Sequence, residues 1–369
     1  MSHRFHRSVA AIALLAPVAA LTFASTASAD DGHGDDHHDR QVTTVYTETN
    51  AVAGNAVLAY QNVNGVLTNV GSFATGGLGS GNGLGSQGAV FADDDHLLAV
   101  NAGSNQVSLF SINDDGSLTL DDIESSGGVR PISVALRDEV AYVVNATSRN
   151  VSGFRVDDGQ LTPISGSTQS LPGDGAAQVS FDARGTRLVV TEKATNTIDV
   201  LPVGKRGVAG TAVSHASTGT TPFGFAIDRR NNVIVSNAAG GAAGASSLSS
   251  YQLSGSTGLT PVSSAVATTQ TAACWVALSE NQKYAYTANA GSGTISSYRL
   301  ARNGTLTLLA PVAAKPGTGA VDMAVIGGTL FSLANGPLSI SAYGIGSDGS
   351  LSLAGSVTIP AGVAGLAAA

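Results

Sequence analysis

Val134-Ala135-Leu136, then Ala141-Tyr142-Val143-Val144-Asn145 after a short turn, is one of seven copies of a single pattern. The apolar triplet recurs as Ala89-Val90-Phe91, Val179-Ser180-Phe181, Phe225-Ala226-Ile227, Val276-Ala277-Leu278, Met323-Ala324-Val325 and Ala364-Gly365-Leu366. Neighbouring copies lie 45, 45, 46, 51, 47 and 41 residues apart. Strand-like units at that period, with no helical pattern between them, indicate a β-propeller. The expected fold is all-β: a seven-bladed propeller of four-stranded blades.

Each copy carries the same internal order. A second apolar run ends in Asn, as in Val233-Ile234-Val235-Ser236-Asn237 and Ala285-Tyr286-Thr287-Ala288-Asn289, and the series continues with Asn50, Asn101 and Asn335. A third strand follows, with Phe110, Phe154 and Tyr298 each nine residues after its Asn. Thr294-Ile295-Ser296-Ser297-Tyr298 alternates with period two, as a strand with one buried face does. Asn64-Gly65, Asp115-Gly116, Asp158-Gly159, Asn303-Gly304 and Asp348-Gly349 fall between third and fourth strands. They read as two-residue hairpins with positive φ at both central residues.

The ends predict how the ring closes. Val42-Thr43-Thr44-Val45-Tyr46 matches a second strand and has no first strand before it. Pro360 to Leu366 matches the missing piece, so residues near 361–368 should form the innermost strand of the N-terminal blade. Closure of this kind removes exposed sheet edges.

Residues 1–29 read as a Sec-type secretory signal: Arg4 and Arg7, an apolar stretch from Val9 to Phe23, and Ala27-Ser28-Ala29 for cleavage after Ala29. Residues 30–41 read as a disordered leader, and 42–369 as one propeller domain. The expectation is a secreted or extracytoplasmic protein, monomeric and without membrane insertion once the signal is removed. Without Arg4 and Arg7, 16 basic side chains face 26 acidic ones, which disfavours nucleic acid as a partner. The leader's His33, His37 and His38 stand among five aspartates and could hold zinc, copper or nickel loosely, but a solvated segment is the favoured reading. Cys274 is the single cysteine, so no internal disulfide exists and a buried inert thiol is expected. No cofactor or metal site is expected: the Asp93-Asp94-Asp95 and Asn113 to Gly116 runs lack calcium-loop spacing and read as turns.

Chemistry is expected at the channel mouth, where seven blades converge. The position before each triplet should face the channel: Gly88, Ser133, Gln178, Gly224, Trp275, Asp322 and Val363. Of these, Ser133, Gln178, Trp275 and Asp322 are the candidate ligand-binding residues, although a water-filled channel or a Trp275 plug fits equally. Blade four departs from the repeat, with Val189-Val190-Thr191-Glu192-Lys193 placing Glu192 on the Asn position. Glu192, Lys193 and the nearby Arg130 are the candidate catalytic residues. The alternative is that Glu192 accepts the hydrogen bonds Asn would, with Lys193 solvated. The Gly-rich segment from Gly71 to Gly88 and the long connection from Asn237 to Tyr251 read as tolerated surface insertions, or as covers for a ligand.

The Asn endings, the Gly-bearing hairpins and the stretch from Leu188 to Val200 (LVVTEKATNTIDV) resemble the lactonase-like seven-bladed propellers, which include 6-phosphogluconolactonase-type and carboxymuconate-cyclase-type enzymes. The resemblance runs from about residue 42 onward. It implies hydrolysis or cyclisation of a small lactone or sugar acid at the mouth. It also implies an Arg-His pair leading into one blade and an Asn-Glu ending on its second strand. Blade four has Ala177-Gln178 and Glu192-Lys193 instead; blade five has Pro222-Phe223-Gly224 and Asn237-Ala238. Only His96 and His215 lie within the propeller, and both map away from the mouth. Two readings follow: an exported lactonase-like hydrolase with Glu192 as base and Arg130 or Lys193 stabilising the anion, or a non-catalytic extracytoplasmic binding or scaffolding propeller.

Overall fold

A computed structural model describes residues 42–369. The expected signal, 1–29, and leader, 30–41, lie outside the described residues. Seven antiparallel sheets form the ring, and the only helical element among the described residues is a single turn, Ala239–Gly241. In blade three the strands run outward as Pro131–Arg137, Val140–Asn145, Asn150–Asp157 and Gln160–Pro163, with Gln169–Ser170 added at the outer edge. The other inner strands are Val90–Ala92, Ala176–Phe181, Pro222–Ile227, Ala273–Leu278, Ala320–Ile326 and Ala364–Ala368, so all seven triplets sit where the repeat puts them.

Ala364–Ala368 pairs antiparallel with Thr43–Glu48 and completes blade one. Thr44 and Ala369 exchange both backbone hydrogen bonds, at 2.8 and 3.0 Å, and Thr47 Oγ1 donates to Gly365 O at 2.6 Å. Val363 and Leu366 are buried by this closure. Each contributes roughly 1.5–3 kcal/mol on that account.

Second strands are buried along their length because each blade packs both faces against neighbours; every residue of Arg187–Glu192 and Asn232–Asn237 is buried. The same holds for the third strand Thr294–Leu300, where only Arg299 is exposed. The alternation expected there does not report a solvent face. Ser296 is buried with its hydroxyl donating to Pro311 O at 2.7 Å.

The hairpins between third and fourth strands fall into two kinds. Asn64-Gly65 and Asp158-Gly159 have positive φ at both residues, as expected. At Gly116, Gly304 and Gly349 only the glycine is left-handed, and its N–H donates to a carbonyl three residues back. These three are longer turns closed by a glycine, not two-residue hairpins. Neighbouring blades hold such turns: Tyr46, Tyr142 and Tyr286 donate to the carbonyls of Gly116, Gly207 and Gly349 in the next blade. A Cβ at Gly349 would lie 2.4 Å from the Tyr284 ring, so close packing reinforces the backbone requirement for glycine.

Candidate functional site

The chain enters inner strands through a left-handed residue whose carbonyl receives the N–H of the residue just after the second strand. Arg130 receives Ala146, Gly175 receives Lys193, Thr221 receives Ala238, Ala272 receives Ala290 and Gly319 receives Asn335. This places one position per blade at the mouth. It is alanine in blades three, five and six, Lys193 in blade four and Asn335 in blade seven.

The channel column is the next layer down. Its polar side chains receive N–H groups from the adjoining inner strand: Val179 donates to Ser133 Oγ at 3.2 Å, Phe225 to Gln178 Oε1 at 2.6 Å and Leu366 to Asp322 Oδ2 at 3.1 Å. Blade five has only Gly224 here. Gln87 supplies the missing acceptor, taking the Val276 N–H at 3.1 Å and donating to Val276 O at 2.9 Å. A Cβ on Gly224 would stand 2.1 Å from that Gln87 oxygen.

Gln87 belongs to a segment that crosses the channel. Ser86 Oγ donates to Ile132 O, Gln87 N to Ala177 O and Gly88 N to Asp322 Oδ2, while Trp275 Nε1 donates to Ser86 O. Residues 83–88 are therefore the channel plug, tied to blades three, four, six and seven, and not a surface insertion. Leu84, Ser86 and Gln87 are buried. Above them lies a cavity of about 220 Å³ bounded by Leu84, Trp275, Val321, Asn335 and Val363. Below lies one of about 210 Å³ that includes Gln178, Ser180 and Asp322. Burial pushes Asp322 up to about 7, against the three N–H groups of Met323, Gly88 and Leu366 that favour its charge. The long connection from Asn237 to Tyr251, by contrast, exposes Gly240 to Gly244.

Two cations stand at the upper mouth. Lys193 Nζ donates to Gly85 O and lies 4.5 Å from the centre of the Phe223 ring, which packs on Trp275 at 5.4 Å. Burial pulls Lys193 down to about 8, and the charge of Arg130 adds to the fall. Among the described residues neither Lys193 nor Arg130 has an ion-pair partner. The nearby Cys274 is a buried free thiol pushed up to about 12 by desolvation, which leaves it protonated and unreactive.

Glu192 is not brought to the mouth with Lys193. It ends the second strand opposite Thr197, fully buried, and its Oε2 accepts from Thr197 Oγ1 at 3.1 Å. Gly173 seals it: a Cβ there would come within 1.9 Å of Oε2. Asp199, also fully buried, stands beside it, and neither Glu192 Oε1 nor Asp199 Oδ2 has a hydrogen-bond partner among the described residues. Desolvation raises Glu192 to about 7, and the Asp199 charge beside it adds to the rise; burial raises Asp199 as well. Burial and mutual repulsion therefore favour a protonated carboxyl at this pair. Asp199 replaces a serine found at the same place in other blades, Ser108, Ser152, Ser249 and Ser296.

Strand pairing also relocates two members of the Asn series. The Asn position pairs with the start of the third strand, as in Asn101↔Gln106, Asn145↔Asn150, Glu192↔Thr197 and Asn289↔Thr294. By that pairing blade seven has Ala334 and blade one has Glu48, not Asn335 and Asn50. Glu48 is fully buried and raised well above its ordinary range by desolvation, with Asn55 donating to its Oε2 at 3.1 Å. Sequence reasoning missed it because blade one pairs Glu48 with Val57, nine residues on, where most blades need five.

The sequence profile of the family described as lactonase, 7-bladed beta-propeller, matches residues 19–171 and 237–325, more than half of the chain. The chain belongs to that family. No curated protein matches its sequence. Solved structures that share the fold include a provisionally assigned 6-phosphogluconolactonase from Bacteroides fragilis, at 14% identity and TM-score 0.71, covering 90% of this chain and 99% of that one. Another is the periplasmic gluconolactonase of Pseudomonas aeruginosa, at 14% identity and TM-score 0.69, covering 88% and 98%. In this lactonase-family propeller Ala177 and Gln178, which stand where the resemblance implies Arg-His, are both buried. Gln178 is engaged between blades. His96 heads a second strand at the far end from the mouth, and His215 lies on an outer strand.

Proposed function

We propose that this propeller is an exported hydrolase that opens a small anionic lactone at the upper mouth. The observation that carries the reading is the pair of unpaired cations, Lys193 and Arg130, beside a cavity walled by Trp275 and Leu84. Water attack on a lactone carbonyl creates an oxyanion, and ring opening leaves a carboxylate. Both charges develop where an ammonium and a guanidinium stand partly dehydrated, the arrangement that stabilises a transition state most. Glu192 serves as base in this scheme only if water reaches it beneath Gly173. Export rests on the signal-like segment 1–29, and no helix among the described residues is long and apolar enough to cross a membrane.

The test is acid release from a panel of small lactones in a pH-stat. Lys193→Gln should lower kcat by about 100-fold, the scale of losing one oxyanion partner, and parent activity should fall above pH about 8 as the ammonium loses its proton. Glu192→Gln discriminates within the scheme: lost turnover with unchanged melting would return the base to Glu192. One observation favours a non-catalytic binding propeller instead: among the described residues, no carboxylate or imidazole bounds the upper cavity. Absence of turnover across the panel would decide for it.

A further inference from the structure

The opposite end of the ring carries a second cationic feature that the mouth chemistry does not use. Between blades three and four, where inner strands end and second strands begin, lies a crevice of about 400 Å³. Arg137, Arg155, Arg184 and Lys205 surround it, and Phe181 is among its lining residues. Only two acids join them. Glu139 is held by Arg155 at 3.2 Å, and Asp138 lies 3.8 Å from Arg137. Arg184 and Lys205 are exposed and, among the described residues, have no ion-pair or hydrogen-bonding partner for their side chains. The crevice therefore carries a surplus of two positive charges in a chain whose overall balance is strongly acidic.

Its geometry is fixed from below. Arg137 donates to Ala183 O at 2.9 Å, and Arg155 to Arg206 O at 3.3 Å, which pins two guanidinium groups against the hairpins of blade four. The Phe181 ring is buried and meets Tyr142 edge-on at 5.9 Å. Two anchored and two unengaged cations can close on one group that bears two negative charges, and the partly exposed Val140 and Val203 offer an apolar surface to whatever carries it. Guanidinium forks suit the planar and tetrahedral oxyanions they bind in pairs.

We propose that this crevice is a binding site for a small phosphate ester, separate from the mouth. Phosphate provides two charges on one centre, matching the surplus, and the ester's carbon skeleton packs on Val140 and Val203. Arg184 and Lys205 supply the binding charge, while Arg137 and Arg155 fix the frame.

Calorimetric titration of the purified chain at constant ionic strength tests this, with phenyl phosphate and inorganic phosphate as probes. Saturable one-to-one binding is expected, tighter for phenyl phosphate. The double variant Arg184→Ala/Lys205→Ala should weaken it by at least about tenfold through loss of charge-assisted bonds. Both side chains are exposed, so its melting should match the parent. Lys193→Gln should leave this binding unchanged, which separates it from the mouth. Binding that survives the double variant, binding lost with Lys193→Gln, or no saturation up to about 10 mM, a level weaker than useful recognition, overturns the site. Equal affinity for the two probes overturns the ester assignment.

Discussion

Blades three and four occupy equivalent places in the ring and solve one problem in different ways. Blade three ends its second strand with Asn145, whose amide donates to Ser126 O at 3.0 Å, and sets Ser152 on the neighbouring strand. Blade four puts Glu192 and Asp199 at those two positions. Asn and Ser each bring a donor at any pH, and Ser152 Oγ donates to Gly127 O at 3.3 Å. Two carboxyls bring acceptors alone, so a buried pair must retain a proton or repel. The backbone is the same, yet of these two blades only blade four buries carboxyls with raised pKa, which should make its stability depend on solution acidity. The covering glycine is common to both: a Cβ at Gly128 would lie 2.6 Å from Asn145 Cγ, as one at Gly173 would lie 1.9 Å from Glu192 Oε2.

The largest effect tests the frame the two blades share. Deleting residues 361–369 removes Val363, Leu366 and the ladder to Thr43–Glu48. Two such side chains are worth roughly 3–6 kcal/mol together, against a total stability of about 5–15 kcal/mol. Urea unfolding should show a chain that is unfolded or aggregated. A truncated chain that unfolds at the parental midpoint would mean the blades stand independently and have no common frame to be compared in.

The second test converts blade four into blade three. An acid whose pKa is raised by folding contributes stability that is complete below its ordinary value of 4.5, and that stability is lost as pH rises through about 7. Glu192→Asn with Asp199→Ser should therefore stabilise the protein at pH 8 by on the order of 3 kcal/mol. The gap should close toward pH 4.5, as read by urea midpoints across pH. A slope that survives unchanged would assign the acidity dependence to Glu48 and Asp322, the other buried carboxyls with raised pKa.

The smallest effect sharpens the role of Gly173. Gly173→Ala should cost about 1–3 kcal/mol, as overpacking of a filled site does. The cost should persist in the Glu192→Asn background, because a Cβ at the equivalent Gly128 of blade three would come within 2.6 Å of Asn145. A cost that vanished there would show that Gly173 is needed only for the carboxyl it covers.

Much of this molecule is written as repetition, and repetition is what a sequence displays. The seven triplets, and the match between Pro360–Leu366 and the missing inner strand, could each be compared with six counterparts, and the five turn glycines with one another. The site is composed of departures, and those are legible only against the right register. Glu192 stood out because its blade keeps the usual hairpin length, while Glu48 did not because its hairpin is longer. Asp199 was readable in principle from the column Ser108, Ser152, Ser249 and Ser296. The plug was not: its glycine-rich composition fits a loose surface loop, and only the gap at Gly224 explains why Gln87 is buried in the channel. Burial of Glu192 beneath a glycine likewise comes from tertiary packing that no local pattern records.

Blade one joins residues more than 300 positions apart, Thr43–Glu48 with Ala364–Ala368. As the chain emerges from the ribosome, its first sheet must wait, lacking its innermost strand, until every other blade has been made. Such distant pairing folds slowly. The ring therefore acquires its stability only once Ala364–Ala368 has been made, in one late step, and any process that must handle the chain while it is still pliable has the time taken to make the other blades in which to act.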